Sequence, residues 1–316
     1  MSQRNMVYAG IDTGKSKLDV ALHRRDERLE VENDPDGHGR LSTWLRGRGV
    51  KRVGIEASGG YEMEVVAALR RDGFTVVVFQ PAQVRAYAKF HLQLAKNDKI
   101  DAALIAACTA AASKIHAPPD PRLAPLAMRM TLIEQITVDI ARHKTRLETC
   151  REEHGRAFWQ QEIARLEKAE KAELKALEKL IRQHCDLSHR LDLIASVDGI
   201  GLKTAVLILV RIPEIGRLSR EQVAALIGLA PYDDDSGSRH GDRHIRGGRK
   251  RVRCGLYAAA LPASFHHNAQ LKALYDRLKA AGKEHKVALV ACARKLVIFA
   301  NTVVARGTPW QSQYAH

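Results

Sequence analysis

Met6–Asp12 (MVYAGID) is a short apolar run of strand length, and Lys17–His23 (KLDVALH) alternates apolar and polar positions behind it. Together they predict a strand and its hairpin partner across Thr13-Gly14. Arg28–Asn33 (RLEVEN) predicts a third strand. The period then changes. Gly39–Arg48 places Leu41, Trp44 and Leu45 on one helical face, and Arg52–Glu56 (RVGIE) returns to a short strand. After Ser58-Gly59-Gly60 a helix runs through Arg71, followed by the continuous apolar strand Phe74–Phe79, which Gln80-Pro81 ends. Asp98–Ser113 is an alanine-rich helix that stops before Pro118-Pro119. Three strands followed by alternating helices and strands predict an α/β domain with a mixed sheet.

The composition then breaks. Pro118, Pro119, Pro121 and Pro125 form a linker, and Leu126 to Cys185 carries no proline and a single glycine, Gly155. Leu166, Leu174, Leu177 and Leu180 keep helical spacing in a background of Glu, Lys, Arg and Ala, which predicts a long helical hairpin of coiled-coil type suited to assembly. From Leu191 onward the pattern is helical with glycine punctuation. Leu193–Leu209 reads as two apolar helices hinged at Gly199-Ile200-Gly201, Arg220–Gly228 as a further helix, and Asp233–Gly248 as a polar, glycine-rich segment before apolar helices to about Ala305. The domain expectation is therefore 1–125, 126–190 and 191–316.

With 316 residues, 45% apolar and 28% charged, the chain has the composition of a globular protein with room for about two domains, which excludes wholesale disorder or a fibrous repeat. The 51 Lys and Arg exceed the 36 Asp and Glu by 15, and an excess of that size points to a polyanionic partner. Five scattered cysteines with no C-x-x-C pair argue against a disulfide framework or structural zinc and fit a reducing cytosol. No membrane partner is expected, because the most apolar late stretch, Val287–Ala305, is interrupted by Arg294 and Lys295. The N-terminus has no signal-peptide pattern, so a cytoplasmic, nucleoid-associated protein is expected.

The candidate chemistry begins with acids. Asp12 ends the first strand, Glu56 ends a later one, and Asp98 and Asp101 share a helical face at i, i+3. Four converging carboxylates repel one another unless a cation neutralises them, and oxygen-only donors select Mg²⁺ or Mn²⁺. Such a cluster suits activation of a phosphodiester. Gly14-Lys15-Ser16 mimics the end of a P-loop, but Ala9 stands where the motif needs glycine and the segment lies between strands. Gly10–Gly14 followed by a hairpin also resembles the phosphate-binding hairpin of sugar kinases and actin-like ATPases, which do not carry a D-x-x-D helix so soon after the fifth strand.

Basic residues gather between Arg239 and Arg253, where Arg239, Arg243, Arg246, Arg249, Lys250, Arg251 and Arg253 face one aspartate and are laced with Gly241, Gly247 and Gly248. Charge at that density suits contact with a phosphate backbone. Gly199 and Gly201 followed by Lys203 resemble a helix-hairpin-helix, in which glycine amides and a helix N-terminus meet phosphate. Ser236 lies just ahead of the cationic run, in Pro231–Arg239 (PYDDDSGSR), and composition alone favours a linker serine there.

Taken together, GIDTGKSKLDVAL around Asp12, GIEASGGYE around Glu56, KNDKIDA around Asp98 and Asp101, SVDGIGLKTA, ALIGLAP and the Ser236-Gly237 dipeptide resemble the DEDD transposases of the insertion sequence 110 family, with its 1111-type subgroup, over essentially the whole chain. That resemblance implies an α/β RuvC-like domain of ribonuclease H fold, a coiled coil, and a mainly α-helical C-terminal transposase domain. It implies Asp12, Glu56, Asp98 and Asp101 as the metal-binding tetrad and Ser236 as a nucleophile that forms a phosphoserine link to DNA, with Ser238 as the register alternative. It further implies donor and target DNA, a non-coding bridge RNA, and dimers that pair into tetramers. The competing reading is a RuvC-like nuclease in which water attacks.

Overall fold

The structure, a computed structural model, describes residues 6–92, 98–113, 120–232 and 243–311, with the side chains of 98–100 outside that description. The chain divides into two compact units, Met1–Pro118 and Pro119–His316.

In the first unit, β1 (Val7–Thr13), β2 (Lys17–Leu22), β3 (Arg28–Glu32), β4 (Val50–Glu56) and β5 (Thr75–Phe79) form one sheet in the order β3-β2-β1-β4-β5. The β1–β2 and β2–β3 pairs are antiparallel, and β1–β4 and β4–β5 are parallel. The mixed sheet expected from the hydrophobic pattern is present. Its central strands are buried, and α1 (Pro35–Gly47) and α2 (Met63–Arg71) cover one face through Leu41, Leu45, Val65 and Leu69. Helix α1 begins four residues ahead of the expected start, because the Asp34 carboxylate accepts the Gly37 amide at 2.8 Å and Pro35 opens the first turn.

The opposite face carries α3 (Pro81–Phe90) and α4 (Asp98–Ala111), packed through Phe79, Val84, Leu104, Ile105 and Cys108. Helix α3 lies where the sequence reading saw only the end of a strand. Pro81 does stop β5, but proline at a first helical position also starts a helix, and the Gln83 side chain accepts the Gln80 amide at 2.8 Å.

The second unit is mostly helical. Helices α5 (Leu123–Thr149) and α6 (Glu153–Arg182) form the long hairpin, turning at Cys150–Glu152. Cross-hairpin pairs Arg129–Glu173, Thr137–Glu170 and Lys144–Glu167 fix its antiparallel register. Then follow α7 (Cys185–Ala195), α8 (Leu202–Arg211), α9 (Arg220–Leu226), the short strands β6 (Pro231–Tyr232) and β7 (His244–Ile245), and α10 (Lys250–Pro262). A π-helical turn, Ala263–His267, leads to α11 (Ala269–Ala280) and α12 (His285–Arg306). By length and composition α12 could cross a membrane, but Cys292, Ala293, Leu296, Val297, Ala300 and Val303 place it in the core of this unit. All five cysteines are free thiols.

Candidate active site

Sheet register places the first two acids. The parallel β1–β4 pairing runs through Gly10–Gly54 and Ile11–Ile55, so Asp12 and Glu56 stand one step further, at the carboxyl ends of neighbouring strands. Adjacent strands lie about 4.8 Å apart, which makes these two backbones direct neighbours. Strand alternation puts Gly10 and Asp12 on one face, and Gly54 and Glu56 on one face. The glycines identify that face. A Cβ on Gly10 would overlap the α4 backbone at Ala102 and Ala106, and one on Gly54 would overlap the Thr109 side chain. Both half-buried carboxylates therefore point to the side of the sheet that α4 covers.

Helix α4 carries the other two acids. Ala102, Ala106 and Thr109 recur at i, i+4 and i+7 and lie against the sheet, so small side chains let the helix sit almost on the strands. Asp101, half-buried, immediately precedes this stripe, and Asp98 is the first helical residue with its side chain outside the described residues. Among the described residues, no three His, Cys, Asp or Glu side chains are gathered closely enough to hold a metal ion. The donor set is nonetheless of one chemical kind. Burial pushes the nearby Cys108 thiol up to about 11, with the Glu56 carboxylate adding to the shift, so this thiol is protonated at neutral pH. Hard oxygens fit Mg²⁺ or Mn²⁺.

Polar residues absent from the sequence reading support these acids. Asp19 is the register partner of Asp12 across β1–β2 and therefore shares its face. Lys17 pairs with Asp19 at 3.0 Å and with Glu30 at 3.3 Å. Asn33 donates to the Gly14 carbonyl and to the Tyr61 carbonyl, each at 3.0 Å, and so ties the turn after Asp12 to the loop after Glu56. Its own carbonyl oxygen is held at 2.8 Å by Nε2 of buried His38. In the loop after Glu56, the Glu62 carboxylate accepts from the Ser58 amide and hydroxyl and from the Gly60 amide at 2.8–3.1 Å. Burial alone would raise the Glu62 pKa, but these bonds outweigh it and hold the carboxyl below its ordinary value. The i, i+2 and i, i+4 spacing of Gly60, Ser58 and Glu62 was a legible turn signal.

In the second unit, Pro231 pairs with Ile245 and Tyr232 with His244, so β6 and β7 pin the two ends of the segment that carries the candidate serine. Ser236, Ser238 and Arg239 lie outside the described residues. The described basic residues lie on both sides of β7. Arg243, Arg246 and Lys250 are exposed, and Arg246 lies 5.1 Å from the Tyr232 ring. Arg249 binds Glu214 through two 2.7 Å bonds and donates to the Arg211 carbonyl. Arg251 pairs with Glu134 at 2.9 Å, and Arg253 donates to the Gly247 carbonyl at 2.5 Å. Gly248 serves packing, since a Cβ there would overlap the Gly228 backbone, and both glycines have positive φ.

The candidate helix-hairpin-helix residues Gly199, Gly201 and Lys203 have different surroundings. Gly199, at φ 92°, packs against Ala263, Gly201 precedes α8 with open space at its Cα, and Lys203 is held at 2.8 Å by both Thr137 and Glu170 of the hairpin. Its ammonium therefore joins α8 to α5 and α6.

Known proteins match both units. Residues 9–153 match a family described as the DEDD transposase of IS110, and residues 191–276 match the transposase IS116/IS110/IS902 family. A pilin gene-inverting protein of Moraxella bovis is 26% identical over 97% of this chain and 98% of its own length, and its counterpart from Moraxella lacunata is 25% identical with the same coverage. An insertion element IS110 protein of Streptomyces coelicolor is 28% identical over 44% of this chain and 35% of its own length. Among solved structures, T. thermophilus RuvC in complex with a Holliday junction substrate aligns with 21% identity over 32% of this chain and 90% of its own, at a TM-score of 0.26.

Proposed function

The chain belongs to the IS110 family of transposases and is an enzyme acting on DNA; from that premise we propose that it cuts and rejoins DNA strands through a serine-linked intermediate. The observation that supports metal-assisted strand cleavage is the register of Asp12 and Glu56 at adjacent strand ends, beneath the helix that bears Asp98 and Asp101, while the serine step rests on the family resemblance. The strand order β3-β2-β1-β4-β5, with only β2 reversed among the inner strands, supports a RuvC-like domain of ribonuclease H fold.

Asp12, Glu56, Asp98 and Asp101 would hold divalent metal, Mg²⁺ or Mn²⁺. When bound, it supplies the positive charge that stabilises the attacking and leaving oxygens of a phosphodiester. The Ser236 hydroxyl attacks the scissile phosphorus. Its Oγ–P bond forms as the bond to the departing sugar oxygen breaks, and the serine proton is lost as that oxygen gains one. Phosphodiester count is conserved, so the reverse step on another strand rejoins DNA without an external energy source. A relative named for inverting a gene supports this conservative chemistry, because inversion rejoins what it cuts. Exposed Arg243, Arg246 and Lys250 would hold backbone phosphates beside the serine segment.

The excess of 15 positive charges suits two polyanions at once, donor and target DNA together with a bridge RNA whose pairing supplies sequence recognition. The exposed Met128, Leu132, Val138 and Phe158 of the α5–α6 hairpin support its use in assembling dimers and tetramers. The enzyme works where DNA is, in the cytoplasm at the nucleoid.

Denaturing gels of reactions with labelled DNA ends test the central step. Wild-type protein should become covalently linked to DNA. Ser236→Ala should abolish the adduct and strand exchange while leaving nucleic-acid binding within about twofold, and Ser238→Ala should retain both. Metal-dependent cleavage with no adduct would replace this reading with a nuclease that uses water.

A further inference from the structure

A second basic site lies in the helical unit, away from the β6–β7 segment in sequence. A cavity of about 590 Å³ is lined by Arg220 of α9, by Gln270, Ala273, Leu274 and Arg277 of α11, and by Ala291, Arg294, Lys295 and Ile298 of α12. Four of these side chains are cationic and none is acidic. The nearby acids are already engaged. Glu221 pairs with Arg220 at 3.1 Å, accepts the Ser219 hydroxyl and feels the charge of Arg294, while Asp276 pairs with Lys272 at 3.2 Å.

Arg294 adds a second, independent observation. Its Nε is buried and has no hydrogen-bond partner, although buried guanidinium donors are ordinarily satisfied. Lys295 lies over the Phe299 ring at 5.2 Å, and Arg277 forms no ion pair among the described residues. Glu221 offsets Arg220 and part of the Arg294 charge, which leaves the cavity lining with a net positive charge that suits an anion. Arginine forks match phosphate oxygens in geometry, and Ala273, Ala291 and Ile298 add small and aliphatic side chains to the lining.

We propose that this cavity is a phosphodiester-binding site that seats the backbone of a nucleic-acid strand, with Arg277, Arg294 and Lys295 as its principal contacts. The proposal rests on the reading of the chain as a DNA-acting enzyme and adds a contact surface separate from the proposed serine segment. Its source of phosphate, DNA or RNA, is resolved by testing both.

Full-length protein is titrated with a 30-base-pair DNA duplex and, separately, with a single-stranded RNA across a range of salt concentrations. Each lost phosphate contact flattens the slope of log K against log salt by about 0.9 for duplex DNA or about 0.7 for a single strand. The exposed pair Arg277→Gln/Lys295→Gln should flatten the slope for one of the two polymers by one to two contacts and weaken binding about tenfold. Arg294→Lys, which keeps the charge but lacks Nε, should weaken the same polymer. A control of equal charge loss on α6, Lys171→Gln/Lys175→Gln, should leave that slope near wild type. Unchanged slopes for both polymers in the pocket variants, or an equal loss in the control, would overturn the site while wild-type binding still upholds the DNA-acting reading. Wild-type protein that binds neither polymer would overturn both.

Discussion

The acids of the sheet and the arginines of the helical unit carry opposite charge, and the fold treats them oppositely. Asp12 and Glu56 sit where hydrogen-bonded strands leave them, half-buried beneath a helix that glycines bring close. The cations around β7 begin as one dense run, yet Arg249, Arg251 and Arg253 are drawn into Glu214, Glu134 and a backbone carbonyl. A rigid scaffold can present charge at a chosen point. At the start of α10 part of the charge is used to dock the helix on its neighbours, through Arg249, Arg251 and Arg253.

The strongest test of that contrast is catalytic. Asp12→Asn or Glu56→Gln should lower strand cleavage by about a thousandfold, the scale of several kcal/mol expected for lost metal-assisted charge stabilisation. Thermal unfolding of the same variants should stay close to wild type; if the melting temperature collapsed instead, these acids would be structural. Next in size, Gly54→Ala should destabilise the first unit by about 1–3 kcal/mol, because the added methyl must displace Thr109 or move α4. Gly39→Ala in α1, where nothing lies within 4 Å, should leave stability unchanged or raise it by up to about 1 kcal/mol. Differential denaturation of the two variants measures the contrast directly.

The arginine side of the comparison is sharpened by Arg249→Ala against Lys250→Ala. Losing the half-exposed two-bond pair with Glu214 should cost about 1 kcal/mol of stability, whereas Lys250→Ala should change only nucleic-acid binding and its salt slope. Equal stability for the two variants would erase the distinction between committed and available cations.

The smallest effect is on pH. Burial lowers the His38 pKa below 6.5, and the amide bonds to Glu62 hold its pKa below 4.5. In the unfolded chain both groups take up protons at higher pH than in the folded one. Stability of the first unit is therefore full above about pH 6.5 and falls on acidification, first through His38 and then through Glu62. His38→Gln should remove the upper part of that fall in urea titrations at successive pH values, and an unchanged profile would show that protonation of the imidazole does not drive it.

What was legible in the sequence was local. A short apolar run marks β1 and alternation marks its hairpin partner β2, and the acids at strand and helix ends follow from reading one element at a time. Helix α3 was missed because Gln80-Pro81 is equally a strand stop and a helix start, and only Gln83 folding back on Gln80 distinguishes them. The fate of the basic run was not legible because its partners are remote: Glu214 lies 35 positions from Arg249, Glu134 lies 117 from Arg251, and Glu170 lies 33 from Lys203. Asp19 escaped notice for a related reason, since its facing Asp12 depends on hairpin register as well as on its place in the alternation.

The pairing of Tyr232 with His244 has a practical corollary. Whatever lies between those two residues departs from and returns to a single spot on the helical scaffold. Exchanging the intervening stretch between relatives, or altering its length, therefore leaves the surrounding helices the same two junctions to meet.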